Sequence, residues 1–160
     1  MNIADQLILE KATKDKVSVK KSLLKLKSKK NLDELFRTQH AIEFKKRDCL
    51  ACANCCKTTS PIFRDTDVKR ISKHLIIKES QFINTYLKMD EEMDLVLQSS
   101  PCSFLAEDNA CSIYEYRPLA CREYPHTDRK NMHQIIELTA MNTQICPAVA
   151  LIVEKITSIQ

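Results

Sequence analysis

The sequence predicts a small, mostly helical α+β domain with a short β-hairpin and a helical N-terminal extension. Three observations carry that expectation. Apolar residues recur at helical spacing towards both ends of the chain, two short apolar arms flank a polar turn around Asp108, and eight cysteines are spread from Cys49 to Cys146. Hydrophobic residues make up 44% of the 160, enough for one folded domain with its own core. No run approaches the roughly 20 apolar residues of a membrane span, so no membrane insertion is expected.

The extension occupies residues 1–47, and a cysteine-bearing domain occupies 48–160. Residues 11–30 hold nine lysines against one acid, Asp15, a local charge of +8 in a chain whose total is +4. Val19, Leu23 and Leu26 recur there at helical spacing with Val17 and Leu24 beside them, predicting an apolar stripe flanked by lysine. After Asn31, the series Leu32, Leu35, Phe36, Gln39 and Ile42 predicts a second amphipathic helix, with Asn31 and Glu34 as a capping pair. This arm is expected to pack outside the cysteine-bearing domain. Its lysines suit phosphates on nucleic acid or an anionic surface, although the absence of arginine and aromatic residues among them favours a solvated face. His40 reads as a surface or interface residue.

Cys49, Cys52, Cys55 and Cys56 crowd into eight residues. Thiols separated by two residues can fold back in a tight turn so that their sulfurs reach one ion at about 2.3 Å. Cys56 adjoins Cys55, and neighbouring side chains diverge, which points it to a second centre or to another side of the first. A loop then leads to a helix capped by Asp65 and bearing Val68, Ile71 and Leu75. A second helix presents Phe82, Ile83, Tyr86 and Leu87, and the acidic turn Asp90-Glu91-Glu92 precedes a short strand at Leu95-Val96-Leu97. His74 falls in the last turn of its helix, a structural position.

In the last third, Pro101-Cys102-Ser103-Phe104-Leu105 and Cys111-Ser112-Ile113-Tyr114 read as the arms of a hairpin that brings Cys102 and Cys111 together. Pro118 is expected to open a short helix bearing Cys121, and Pro147 to open a final helix capped by Cys146, with Val149, Ile152, Val153 and Ile156 on one face. Both cysteines are then expected near helix N-termini, where thiolate is favoured. Arg117 and Arg122 could neutralise thiolates or bond to sulfur, or form ordinary surface ion pairs. His126 is the best histidine candidate for a ligand, with a supporting or surface role preferred.

The chain contains no glycine. Positive backbone angles must fall on residues that carry a side chain, with Asn54 and Asn109 the expected sites. The same absence excludes a phosphate-cradling P-loop and a glycine-rich dinucleotide fingerprint. The opening Met1-Asn2-Ile3-Ala4-Asp5-Gln6 shows no basic leader followed by an apolar stretch, so cytoplasmic residence is expected. In that reducing compartment eight cysteines read as metal ligands or redox groups rather than as disulfides or inert buried thiols.

With Cys49, Cys52, Cys55, Cys56, Cys102, Cys111, Cys121 and Cys146 placed, residues 48–148 resemble the CxxCxxCC family of zinc- or iron-chelating domains. The resemblance rests on these cysteines with Pro101, Ser103 to Leu105, Ser112 to Tyr114, Arg117-Pro118, Arg122 and Pro147. Ala53 departs from the pattern where the family often has glycine. The lysine-rich arm lies outside the match.

The expectation is a cytoplasmic metalloprotein binding iron, preferentially as an iron–sulfur cluster, or zinc through its eight cysteines. Three cysteines spaced by two residues and a distant Cys-Pro are similar to bacterial ferredoxins, though the direct Cys55-Cys56 pair is not. Bound iron–sulfur suits electron transfer or redox sensing with a protein partner. Four-sulfur zinc instead suits a structural site in a binding module whose basic arm meets nucleic acid or protein. Storage or delivery of metal would need exchangeable thiolates. No catalytic constellation stands out: the cysteine spacing and length do not fit radical enzymes using S-adenosylmethionine, and a Cys49/Cys52 thiol oxidoreductase leaves six cysteines unexplained.

Overall fold

Periodic apolar residues close into helices throughout the computed structural model, which describes residues 1–158. In chain order these are α1 (Ile3–Lys14), α2 (Lys16–Leu26), α3 (Leu32–Phe44), α4 (Cys49–Cys52), α5 (Asn54–Thr58), α6 (Asp65–His74) and α7 (Glu79–Tyr86). Strands β1 (Leu87–Met89) and β2 (Leu95–Leu97) follow, then α8 (Leu119–Glu123), α9 (Ile136–Asn142) and α10 (Pro147–Ser158). Single 3-10 turns lie at Tyr114–Tyr116 and Met132–Gln134. The chain is thus a mostly helical α+β protein with one two-stranded antiparallel hairpin among the described residues. No described helix is long and apolar enough to cross a membrane.

Composition divides the chain at residue 47, but packing divides it elsewhere. The two compact units are Met1–Cys52 with the chain from Pro125 onward, and Ala53–Tyr124.

In the first unit, Leu23 and Leu26 of α2 and Leu32 and Phe36 of α3 form one cluster with Met132, Ile136, Ala140 and the Val149, Ile152, Val153 and Ile156 face of α10. The arm therefore supplies core rather than lying outside it. Full burial of each large side chain contributes about 1.5–3 kcal/mol. Lysines occupy the outward faces: Lys11 meets Glu154 at 2.6 Å and Lys20 meets Glu137 at 3.0 Å. Such exposed pairs contribute only about 0–1 kcal/mol each, so the apolar stripe decides the packing.

Asn2 caps α1 by accepting the Asp5 N–H at 2.8 Å. Asn31 precedes α3 without a side-chain cap bond, unlike the expected capping pair. Asp33 turns to the chain's other end instead, accepting the N–H groups of Asn131 at 2.7 Å and Met132 at 2.9 Å. Those bonds, led by Met132, hold its carboxyl below the usual carboxylate range.

In the second unit, α6 begins when the Asp67 side chain accepts the Arg64 N–H at 3.2 Å, so Asp65 is the first helical residue and not the cap. Val68 and Ile71 pack with Phe63, Phe82, Leu87, Leu97, Phe104 and Ile113. Leu87, expected on the α7 face, turns extended and opens β1, pairing with Leu97 while Met89 pairs with Leu95. The Asp90 carboxylate holds the intervening turn through the N–H groups of Glu92 and Asp94. The hairpin expected around Cys102 and Cys111 is reduced to one antiparallel bridge between Leu105 and Cys111, because the turn consumes most of its length. Asn109 takes the expected positive φ, 67°.

Candidate metal centre

Each cysteine is placed by a local device. Asp48 accepts the Leu50 N–H at 2.9 Å at the start of α4, whose single turn carries Cys49 and Cys52 three residues apart on one face. The chain then reverses at Ala53, buried and left-handed at φ 48° and ψ 17°. The expected Asn54 is instead the first residue of α5. The reversal falls where glycine would carry no Cβ penalty, and an alanine there costs about 1–2 kcal/mol. Cys55 and Cys56 follow on α5 with their sulfurs 4.0 Å apart, so these neighbours do not diverge as expected.

The Cys102 N–H donates to the Cys56 carbonyl at 2.8 Å, tying the start of the hairpin to α5. Phe104 and Ile113, each two residues beyond a cysteine, anchor the two arms in the core against which Cys102 and Cys111 pack. The Phe104 ring stacks with Phe82 at 6.2 Å and meets Tyr86 at 4.9 Å. Pro118 stands before α8 as its cap residue, not as its first helical residue, and Cys121 is the third residue of that helix. Pro147 opens α10 as expected, and Cys146 stands before it with its carbonyl accepting the Ala150 N–H at 3.0 Å.

The charges of these thiols show which are neighbours. Burial and the thiolates of Cys56, Cys102 and Cys111 push Cys121 up to about 12, against a smaller pull from the Arg117 cation. Burial raises Cys111 as well, opposed by the Ile113 N–H and Arg117 and reinforced by Cys56. Cys102 is raised by burial, opposed by the Phe104 N–H that donates to its sulfur at 3.5 Å, and raised again by Cys56 and Cys111. Cys56 moves the other way, down to about 7, because Cys55 hydrogen-bonds to its sulfur and Lys57 is close, although burial opposes both. The charges of Cys56, Cys102 and Cys111 therefore each bear on Cys121 inside the unit Ala53–Tyr124.

In the other unit, Cys146 is pushed up to about 11 by burial, with Cys49 and Cys52 adding to the shift and the N–H groups of Val149 and Ala148 opposing it. The expected helix-terminus effect is present at Cys146 as those two N–H groups, but burial outweighs it. At Cys121, too, the expected gain in thiolate is overturned by burial and like charge.

Thiols that resist ionisation together are thiols a cation would stabilise together, since a coordinating thiol gives up its proton outright. An all-sulfur donor set suits zinc and iron–sulfur, and does not suit the oxygen-seeking magnesium or calcium. Among the described residues no three Cys, His, Asp or Glu side chains are drawn tightly enough together to hold a metal ion.

Arg117 lies over the Tyr114 ring at 3.7 Å and donates to the Tyr114 carbonyl at 2.7 Å. Its charge pulls the Cys111 and Cys121 values down, which favours the reading in which it balances thiolates. Arg122 is exposed. Of the histidines, His74 stacks on Tyr116 at 3.9 Å, and His40 stacks on Phe44 at 4.3 Å while its Nδ1 meets the Thr127 hydroxyl at 2.8 Å. His126 adopts a positive φ of 65°. The sequence reading passed over Asp67 and Arg70, although their spacing of three on α6 was a visible signal for an ion pair.

The family profile described as "CxxCxxCC: Putative zinc- or iron-chelating domain" matches residues 48–147. The chain belongs to this family. The match takes in all eight cysteines, and metal chelation by zinc or iron is the chemistry the family description carries. Comparison with curated proteins gives no match, and comparison with solved structures gives none.

Proposed function

We propose that this CxxCxxCC protein holds iron through its cysteines, as an iron–sulfur cluster in preference to zinc, and serves electron transfer or redox sensing in the cytoplasm. The observation that carries the reading is Cys121, whose ionisation is opposed by burial and by the charges of Cys56, Cys102 and Cys111, with the Arg117 charge acting the other way on both Cys121 and Cys111. Cys55 lies beside Cys56 on α5, and Cys49, Cys52 and Cys146 are the thiols of the other unit. All eight are the proposed ligands. A bound cluster would supply a one-electron couple.

The chain's own groups suit that task. Backbone N–H groups reach the sulfurs of Cys102, Cys111 and Cys146, and hydrogen bonds to sulfur are a main lever on cluster potential. The Arg117 cation offsets negative charge at Cys111 and Cys121, which favours the reduced state of an anionic centre.

A second reading is favoured by one observation. The α2 stripe of Leu23 and Leu26 turns into the core, leaving Lys16, Lys20, Lys21 and Lys25 exposed. A zinc-structured module could present that face to nucleic acid or an acidic protein.

The test is anaerobic purification followed by metal and acid-labile sulfide analysis, with an absorption spectrum of the same sample. Brown protein with iron and sulfide in comparable amounts is expected. Colourless protein with near-stoichiometric zinc and no sulfide would favour the second reading. Protein that holds neither metal, even after anaerobic reconstitution, would overturn both.

A further inference from the structure

Resting on the thiolate reading of the unit Ala53–Tyr124, we infer that Asp67 and Arg70 of α6 are positioning residues for the centre, gripping the backbone that carries Arg117 and Cys121.

The Asp67 side chain is 1% exposed. Its Oδ1 accepts from Arg70 Nη2 at 2.6 Å and from the Leu119 N–H at 3.2 Å, and its Oδ2 accepts from the Arg64 N–H at 3.2 Å. Arg70 completes the grip: Nη2 donates to the Arg117 carbonyl at 3.0 Å and to the Tyr116 carbonyl at 3.3 Å, and Nε reaches the Tyr116 carbonyl at 3.4 Å. One buried carboxylate and one guanidinium thus hold the peptide groups on both sides of Pro118. His74, one turn further along α6, stacks its ring on Tyr116 at 3.9 Å.

The segment needs such a grip for two reasons. α8 has five residues and no side-chain cap bond of its own, and so short a helix does not persist in isolation. The Leu119 N–H is one of the first-turn donors that a helix leaves without an internal partner, and Asp67 accepts it from outside the helix. Cys121 follows two residues later, and Arg117 sits inside the grip. An ion pair with one partner buried and the other partly exposed contributes little net stability compared with apolar residues of the same shape. What it contributes here is one fixed path for residues 116–121, and with it the position of a thiol and of the cation that balances it.

The test uses the full chain as Asp67→Asn, which removes the charge that holds Arg70, and as Arg70→Lys, which keeps the charge but loses the fork across the Tyr116 and Arg117 carbonyls. In the reduced, metal-free chain, the rate of Cys121 alkylation by iodoacetamide is read by peptide mass spectrometry, with Cys146 as the internal reference. In the same proteins loaded with Co(II), the sulfur-to-cobalt absorption bands are read.

Both variants are expected to keep their far-UV circular dichroism. The Cys121 to Cys146 alkylation ratio should rise about tenfold or more, the change that follows from losing one charge-assisted hydrogen bond, and the cobalt bands should shift. An unchanged ratio in both variants would overturn the inference, as would collapse of the helical signal in Arg70→Lys, which would make the pair a folding requirement rather than a positioner. If the unaltered chain takes up no Co(II), the metal reading fails, and the alkylation ratio still decides the grip.

Discussion

Among the described residues, the unit built from Met1–Cys52 and the chain after Pro125 rests on eleven buried residues, most of them aliphatic and carried on long helices. The unit Ala53–Tyr124 rests on eight, three of them phenylalanines, with Cys102 and Cys111 leaning on the cluster's edge. Its helices α5 and α8 have five residues each and its strands three. At about 70 residues it is of the size at which one core seldom suffices without a metal or a disulfide. The first unit has the larger apolar cluster and three of the cysteines, whereas the second has the smaller cluster and the other five. The family's chelating chemistry is therefore expected to be part of the second unit's stability as well as its function.

The largest expected effect is at the thiols. Cys121→Ser should lower metal content by more than half and strip hydrogen-exchange protection from Ala53–Tyr124. It should leave α3 and α10 protected. Equal metal content and protection in the variant would erase the contrast between the units. Leu23→Ala attacks the other side of it: the loss of a fully buried leucine should cost about 2–5 kcal/mol in denaturant titrations followed by far-UV circular dichroism. Metal bound by the cysteines of Ala53–Tyr124 should not change, and a parallel loss of it would erase the contrast between the units.

A smaller effect sharpens the first unit's account. Burial lowers the His40 pKa, against an opposing pull from Asp128. The folded state then favours neutral imidazole. As pH falls below about 6.5 the unfolded chain takes up the proton first, so stability declines from there down to the lowered folded value and levels off beneath it. His40→Gln should flatten that part of the pH profile in urea titrations run on either side of the window. An identical slope in both proteins would place the acid sensitivity elsewhere.

The smallest effect is at Ala53. Ala53→Gly relieves a left-handed alanine at the entry to α5 and should stabilise the protein by roughly 0.5–1 kcal/mol, read as a shift in denaturation midpoint. Destabilisation would mean that the alanine methyl, buried at 4% exposure, is needed for packing.

Much of this was legible in the residues. Leu23, Leu26, Leu32, Phe36 and the Val149 to Ile156 face read as helical stripes and are buried in one core. The strand at Leu95–Leu97 and the turn at Asn109 also follow local rules. What escaped was set by distant groups. β1 continues the apolar pattern of α7, and only its pairing with β2 shows where the helix must stop. Position near a helix terminus predicted easily ionised Cys121 and Cys146, but the dominant influence is burial, which the local sequence does not carry. The roles of Asp67 and Arg70 depend on backbone some fifty residues away, at Tyr116, Arg117 and Leu119.

The most direct test of a thiolate-held second unit is native-state hydrogen exchange on the metal-loaded and metal-stripped full chain. The account expects amides of Ala53–Tyr124 to lose protection by about tenfold or more on stripping, while those of α3 and α10 keep theirs. Equal protection of Ala53–Tyr124 in the two states would contradict it.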